Sequence, residues 1–127
     1  MIHLVYMKIL HIEDEVEVAR LVKRMLLPEC QITHVMNGNE ALELASSGNF
    51  DIILSDVNLP GLTGFEILKE LRALGITTPV ISNSSREEAN LVMIQQGARA
   101  SLPKIKSQAD VTEDMKSRYL ATFSSSI

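Results

Sequence analysis

The sequence predicts an α/β fold, an open, doubly wound, five-stranded parallel sheet with helices on both faces. Three observations predict it. Short β-like apolar runs alternate with stretches of helical periodicity along the whole chain, which is the pattern of stacked βαβ units. The first run, Ile9-Leu10-His11-Ile12, is almost wholly apolar, as a strand covered on both faces must be. The 127 residues suit a single core, since domains cluster near about 100–150 residues.

The elements follow in order. Glu13-Asp14-Glu15 ends the first strand, and Val18, Ala19, Val22, Met25 and Leu26 recur at helical spacing until Pro28 stops the helix. Gln31 to Met36 reads as the second strand, Asn37-Gly38 as a helix entry, and Ala41, Leu42 and Ala45 as the buried face of a helix stopped by Gly48. Asp51 to Leu54 forms the third strand and runs into Ser55-Asp56, and Leu59-Pro60-Gly61 is a loop. Thr63 caps a third helix bearing Ile67, Leu68, Leu71 and Leu74 and closed by Gly75. Pro79-Val80-Ile81 begins the fourth strand. Ser85-Arg86-Glu87-Glu88 fits a capping box, so the fourth helix is expected to start there and end at Gly97. Ala100 to Leu102 is a short fifth strand. Val111, Met115, Tyr119 and Phe123, four residues apart, predict a fifth helix, with Ser124 to Ser126 frayed. One domain over 1–127 results, with 1–6 as an N-terminal extension and 124–127 as a loose tail.

Composition narrows the function. A net charge of −4 and a pI near 5.3 argue against a nucleic-acid or anionic-membrane surface, which needs clustered Lys and Arg. The single cysteine, Cys30, has no internal disulfide partner and reads as a partly buried, reduced thiol. No apolar run approaches the roughly 18 residues that span a bilayer, and the start lacks a basic n-region. A cytoplasmic protein is the default expectation. His3, His11 and His34 lack metal-ligand spacing, and His11, inside a strand, reads as a hydrogen-bonded interior imidazole.

The chemistry lies at the strand ends. Strands of a parallel sheet point one way, so their carboxyl ends share an edge, where such sheets bind ligands. Glu13 and Asp14 end the first strand, Asp56 the third, Ser84 follows the fourth and Lys104 the fifth. Taken singly, each has an ordinary reading: Asp14 a helix cap, Asp56 a turn residue, Ser84 a loop hydroxyl, Lys104 a surface lysine. Together they converge. Two unit charges about 4 Å apart interact with about 4 kcal/mol at an effective dielectric of ~20. Three carboxylates therefore require a bound cation, a raised pKa or the Lys104 ammonium. A half-open carboxylate site suits Mg²⁺.

From residue 7 to about 123 the chain resembles the response-regulator receiver family. The motifs are Ile12-Glu-Asp-Glu15, Asn37-Gly-x-Glu-Ala-Leu42, Asp51-x-Ile-Leu-x-Asp56, Val57-x-Leu-Pro-Gly61, Pro79-Val-Ile81, Ser84, and Gly97-Ala through Leu102-x-Lys104. The resemblance implies a flavodoxin-like sheet of order 2-1-3-4-5. It makes Asp56 the phosphoacceptor, a nucleophile toward phosphohistidine. It has Asp14 and Asp56 bind Mg²⁺ directly, Glu13 hold a metal-bound water, and the Asn58 backbone carbonyl complete the protein ligands. Lys104 neutralises phosphoryl charge and the Ser84 hydroxyl donates to the phosphoryl group, which switches the surface of the fourth helix, fifth strand and fifth helix. Asn58, Ser85 and Arg86 flank the phosphoryl group, and Asn58 and Arg86 tune its lifetime. The implied partners are a sensor histidine kinase or phosphotransfer protein and a downstream protein, with a homodimer through the switch surface left open. Neither nucleic acid nor membrane is expected as a direct partner, and no enzymatic activity beyond slow self-phosphorylation and dephosphorylation.

The chain departs from the family pattern on its output side. Ser101 replaces the usual aromatic, Ile105 the proline after the lysine, Asn83 an apolar residue, and Ser85 a small apolar one. The expectation is intact phosphorylation with an unusual readout, in a stand-alone receiver. A phosphorylation-independent pseudo-receiver, acting as a protein-interaction module, is the competing reading. An aspartyl phosphohydrolase is disfavoured, because Asn58 stands where a second acid would protonate the leaving group.

Overall fold

The computed structural model describes residues 6–127. Its elements are β1 (Met7–Ile12), α1 (Val16–Leu26), β2 (Cys30–Val35), α2 (Gly38–Ser47), β3 (Ile52–Ser55), α3 (Gly64–Ala73), β4 (Val80–Ser82), α4 (Glu87–Gln95), β5 (Ala100–Ser101) and α5 (Glu113–Ser126), with a 3₁₀ turn at Gln108–Asp110. The sheet has five parallel strands in the order β2-β1-β3-β4-β5, as expected. Residues 1–5 of the expected N-terminal extension lie outside the described residues.

Period-2 geometry splits the strand side chains between two cores. Ile9, Ile52, Leu54 and Ile81 face α1 and α5, where Val22, Leu26, Tyr119 and Phe123 meet them. Leu10, Ile12, Ile53 and Val80 face the other way, onto Ala41, Ile67, Leu71 and Met93. Fully burying each such side chain contributes about 1.5–3 kcal/mol, so this double burial anchors the strand tips. Caps fix where the helices begin. Asn37 accepts from the Glu40 N–H at α2, and Thr63 and Glu66 form a reciprocal capping box at α3.

Four expectations need correction. Helix α4 starts at Glu87 with Arg86 as its cap residue and no side-chain cap bond among the described residues. The Ser85 capping box does not form, because the helix begins one residue too late for Ser85 to be its cap residue; the Ser84 hydroxyl instead accepts the Arg86 N–H at 3.1 Å. Ser124 to Ser126 are helical rather than frayed. The Ser126 hydroxyl donates back to the Thr122 carbonyl at 2.7 Å, and Ser126 is buried. Cys30 is fully rather than partly buried, and burial raises its thiol to about 11. His11 is buried, but neither ring nitrogen has a hydrogen-bond partner among the described residues.

That imidazole has a cost. Burial, with smaller contributions from His34 and Lys104, lowers its pKa to about 3. A depressed pKa means that the unfolded chain takes up the proton first, so stability falls as pH drops below the unfolded value of 6.5. Between pH 6.5 and 5 the loss is roughly 2 kcal/mol. Replacing His11 with Leu removes the titration and the unpartnered nitrogens. His11→Leu is expected to raise urea stability by about 1–2 kcal/mol at pH 7 and by more at pH 5, measured by circular dichroism.

Candidate functional site

Strands β1 and β3 are neighbours, with Ile12 opposite Ser55, so the residues after each tip emerge together. The backbone extends the ladder past both ends: the Asp56 N–H donates to the Ile12 carbonyl at 3.1 Å and the Glu13 N–H to the Val35 carbonyl at 3.0 Å. His34 grips the same loop, its Nε2–H donating to the Glu13 carbonyl at 2.6 Å. On the far side the start of α3 packs directly on the Asp56 backbone. A Cβ on Gly64 would fall 2.6 Å from the Asp56 carbonyl oxygen, so only glycine fits without displacing the loop. As a result, Glu13, Asp14 and Asp56 each present a carboxylate oxygen within 4.8 Å of the others.

Lys104 crosses from the end of β5 to meet them. Its Nζ lies 2.7 Å from Asp56 Oδ2 and 3.2 Å from Glu13 Oε1. Asp56 Oδ1 accepts the Val57 N–H at 2.7 Å, and Glu13 Oε2 accepts the Glu15 N–H at 3.1 Å. Glu13 Oε1 touches the ammonium but has no aligned hydrogen bond among the described residues. It is an ion-pair contact only. Burial pushes the Glu13 carboxyl up to about 7, against the opposing pull of the Glu15 N–H and Lys104. Burial alone would lower the Lys104 ammonium, but Asp56 and Glu13 outweigh it and hold it above its ordinary value. One ammonium among three acids leaves the pocket short of positive charge. Such an oxygen set, with a buried carboxylate oxygen left over, fits a divalent cation such as Mg²⁺.

Of the other predicted residues, Ser84, Ser85 and Arg86 follow the β4 tip and Asn58 lies in the loop after β3. Ser84 is buried, and its hydroxyl accepts the Arg86 N–H. Ser85 and Asn58 are exposed. The Arg86 guanidinium lies 3.4 Å from Glu88, both side chains largely in solvent.

The sequence profile of the response regulator receiver domain matches residues 9–116. The chain belongs to that family. The receiver is 42% identical over 80 residues to the transcriptional regulatory protein CiaR of Streptococcus pneumoniae, an alignment covering 63% of this chain and 36% of that protein. It spans about a third of the length of the curated relatives it matches. Among solved structures, it superposes on the Francisella response regulator 1452 receiver domain with a TM-score of 0.76 at 27% identity, covering 95% of this chain and 99% of that one. It also matches the response regulator TrrA of Thermotoga maritima, solved in complex with Mg²⁺ and BeF, with a TM-score of 0.74 at 26% identity, over 91% of this chain and 98% of that one. Receivers are signalling modules of two-component systems, and the family binds Mg²⁺ in an acidic pocket. No described helix of this receiver is long and apolar enough to cross a membrane.

Sequence reasoning missed the residues that hold this receiver's β4 tip. Asn90, buried on α4, binds both backbone groups of Ser84: its Oδ1 accepts the Ser84 N–H at 3.1 Å and its Nδ2 donates to the Ser84 carbonyl at 3.0 Å. The Ser82 hydroxyl also donates to that Oδ1, at 2.6 Å. The available signal was an amide three residues before Met93, on the stripe that α4 buries. Asn90→Leu leaves those partners unpaired in the interior, at about 1–3 kcal/mol for each group left unsatisfied. Urea denaturation at pH 7 is expected to show a loss of at least about 3 kcal/mol with helix content unchanged.

Proposed function

We propose that this receiver accepts a phosphoryl group on Asp56 from phosphohistidine of a sensor kinase or phosphotransfer protein. The observation that carries this reading is the anchored carboxylate of Asp56, one oxygen on the Val57 N–H and the other on Lys104, beside two further acids. A nucleophile so held needs little reorganisation to meet phosphorus in line. The P–N bond of phosphohistidine breaks with its electron pair going to the imidazole, and a P–O bond to Asp56 forms.

The chain's own groups divide the remaining work. Asp14 and Asp56 would hold Mg²⁺ directly, Glu13 through a water, and Asn58 through its backbone carbonyl. The ion, when bound, supplies positive charge to the phosphoryl oxygens. Lys104 follows the charge from Asp56 onto those oxygens. The Ser84 hydroxyl accepts from the Arg86 N–H, which leaves its own proton to donate to the phosphoryl group. Arg86 and Asn58, both exposed, set the lifetime of the acyl phosphate, Arg86 by pairing with it or screening it from water, and Ser85 lies beside it. Self-phosphorylation from small donors and self-dephosphorylation are slow side reactions of the same pocket.

Output goes to a downstream protein, in the cytoplasm, through α4, β5 and α5. Leu91, Val92 and Ile94 stand exposed on α4, an apolar surface that supports a docking role. A second copy bound at that face would appear as a phosphorylation-dependent dimer.

Incubation of the purified chain with Mg²⁺ and radiolabelled acetyl phosphate tests the proposal. Acid-stable, base-labile label is expected on the wild type, none on Asp56→Asn, and none after chelation of the metal. A wild type that stays unlabelled by acetyl phosphate and by every phosphohistidine donor offered would leave the pseudo-receiver reading in its place.

A further inference from the structure

We propose that Asn83 and Tyr119 are positioning residues for Lys104, and that together they carry the state of Asp56 into α5. This inference rests on Asp56 as the phosphoacceptor. Both residues are completely buried. They meet at the carbonyls just before Lys104. The Asn83 amide nitrogen lies 3.1 Å from the Leu102 carbonyl, 3.3 Å from the Pro103 carbonyl and 3.1 Å from the Tyr119 hydroxyl oxygen. The Tyr119 hydroxyl donates in turn to the Pro103 carbonyl. The segment that carries Lys104 is thus clamped from β4 by one side chain and from α5 by the other.

The Asn83 amide nitrogen has more acceptors within reach than hydrogens to give them. An amide nitrogen carries two hydrogens, and three acceptors surround this one. Only two of the three receive a hydrogen of their own at one time, so the pairing can change without moving the side chain far. Its Oδ1 has no partner among the described residues, so nothing on that side fixes the choice. A coupling element needs just this property, two discrete states that a distant event can bias.

Both ends of the clamp are attached to something that matters. Pro103 is followed by Lys104, whose ammonium sits on Asp56 at 2.7 Å. Phosphorylation places new, more negative oxygens beyond that carboxylate, so the ammonium and the backbone behind it must shift outward. There is room for this shift. A cavity of about 280 Å³ borders the segment and is lined by Ser84, Ser101, Pro103, Lys104 and Arg118 among others. At the other end, the Tyr119 ring meets Phe123 edge-on, with centroids 6.0 Å apart, inside the core on which α5 rests. A change of hydrogen-bond partner at the Tyr119 hydroxyl therefore reaches the packing of α5. Asn83 also directly precedes Ser84, so both groups expected to grasp the phosphoryl lie next to the clamp in sequence.

The chain contains two tyrosines, Tyr119 in the core and Tyr6 largely exposed. Fluorine NMR of 3-fluorotyrosine-labelled protein therefore isolates Tyr119, and Tyr119→Phe assigns it. Mg²⁺ with beryllofluoride, an acyl-phosphate mimic, is expected to displace the Tyr119 resonance while Tyr6 stays in place. The bound beryllofluoride reports occupancy by its own fluorine signal. Asn83→Leu is expected to keep that signal but lose the Tyr119 displacement. Tyr119→Phe is expected to slow labelling by acetyl phosphate roughly 3- to 10-fold, the worth of one hydrogen bond's positioning. A clamp that merely holds the fold would lower the urea midpoint of Tyr119→Phe and leave its labelling rate at the wild-type value. That outcome overturns the proposal, as does a wild-type Tyr119 resonance that stays still with beryllofluoride demonstrably bound. The wild-type arm needs no variant, so it decides even if Asn83→Leu fails to fold. Absence of both bound beryllofluoride and label removes the phosphoacceptor reading itself, and this inference with it.

Discussion

The contact between Lys104 and Asp56 is the constraint on which the functional end of the molecule depends. Without an ammonium 2.7 Å away, the carboxylates of Glu13, Asp14 and Asp56 would crowd together unopposed. Like charges so close, in partly desolvated surroundings, repel by several kcal/mol. Lys104 is largely buried as well, and a buried charge is tolerated only when paired. Each side of the pair therefore explains the presence of the other. The apolar strands pay the desolvation cost, holding their tips in register regardless of the charges set upon them.

The pair also explains why the fold places its chemistry at one end. The two cores are filled by Ile, Leu, Val and aromatic side chains, and they need no polar group to specify the sheet. The charges of the site come after the last ladder residue of each strand, where loops open toward solvent. Besides the Glu13 and Asp56 carboxylates, the buried polar groups around that rim belong to small amides and hydroxyls: Asn90 on Ser84, Asn83 on the approach to Lys104. They are short side chains with fixed reach, and they set the position of the long lysine and of the loop after β4.

Most of the architecture was legible because hydrophobic period and turn chemistry agree along this chain. Asn37, Thr63 and Pro28 each mark a boundary within a residue or two of where it falls. The gathering of Glu13, Asp14, Asp56 and Lys104 was equally legible, since a parallel sheet sends all its strand ends to one edge. Legibility failed where a side chain chooses between local partners. Ser85 carried the signature of a cap, yet the helix starts at Glu87 with Arg86 in the cap position, while the Ser84 hydroxyl turns locally to the Arg86 N–H two residues ahead. The serine tail looked loose, but hydroxyls returning to the Thr122 carbonyl extend the helix through it. His11 was read as satisfied because buried imidazoles usually are, and no sequence pattern reports an absent partner. Asn83 was noted only as an oddity. Its three acceptors come from residues 19, 20 and 36 positions away, a separation that local pattern does not register.

Cys30 gives the molecule a built-in clock. It is the sole thiol, sits on the outermost strand opposite Met7, and is sealed from solvent with its proton firmly held. A thiol reagent can reach it only when that margin of the sheet peels away. The rate at which it reacts therefore counts openings of the β2 edge, one by one, in a protein that is otherwise intact.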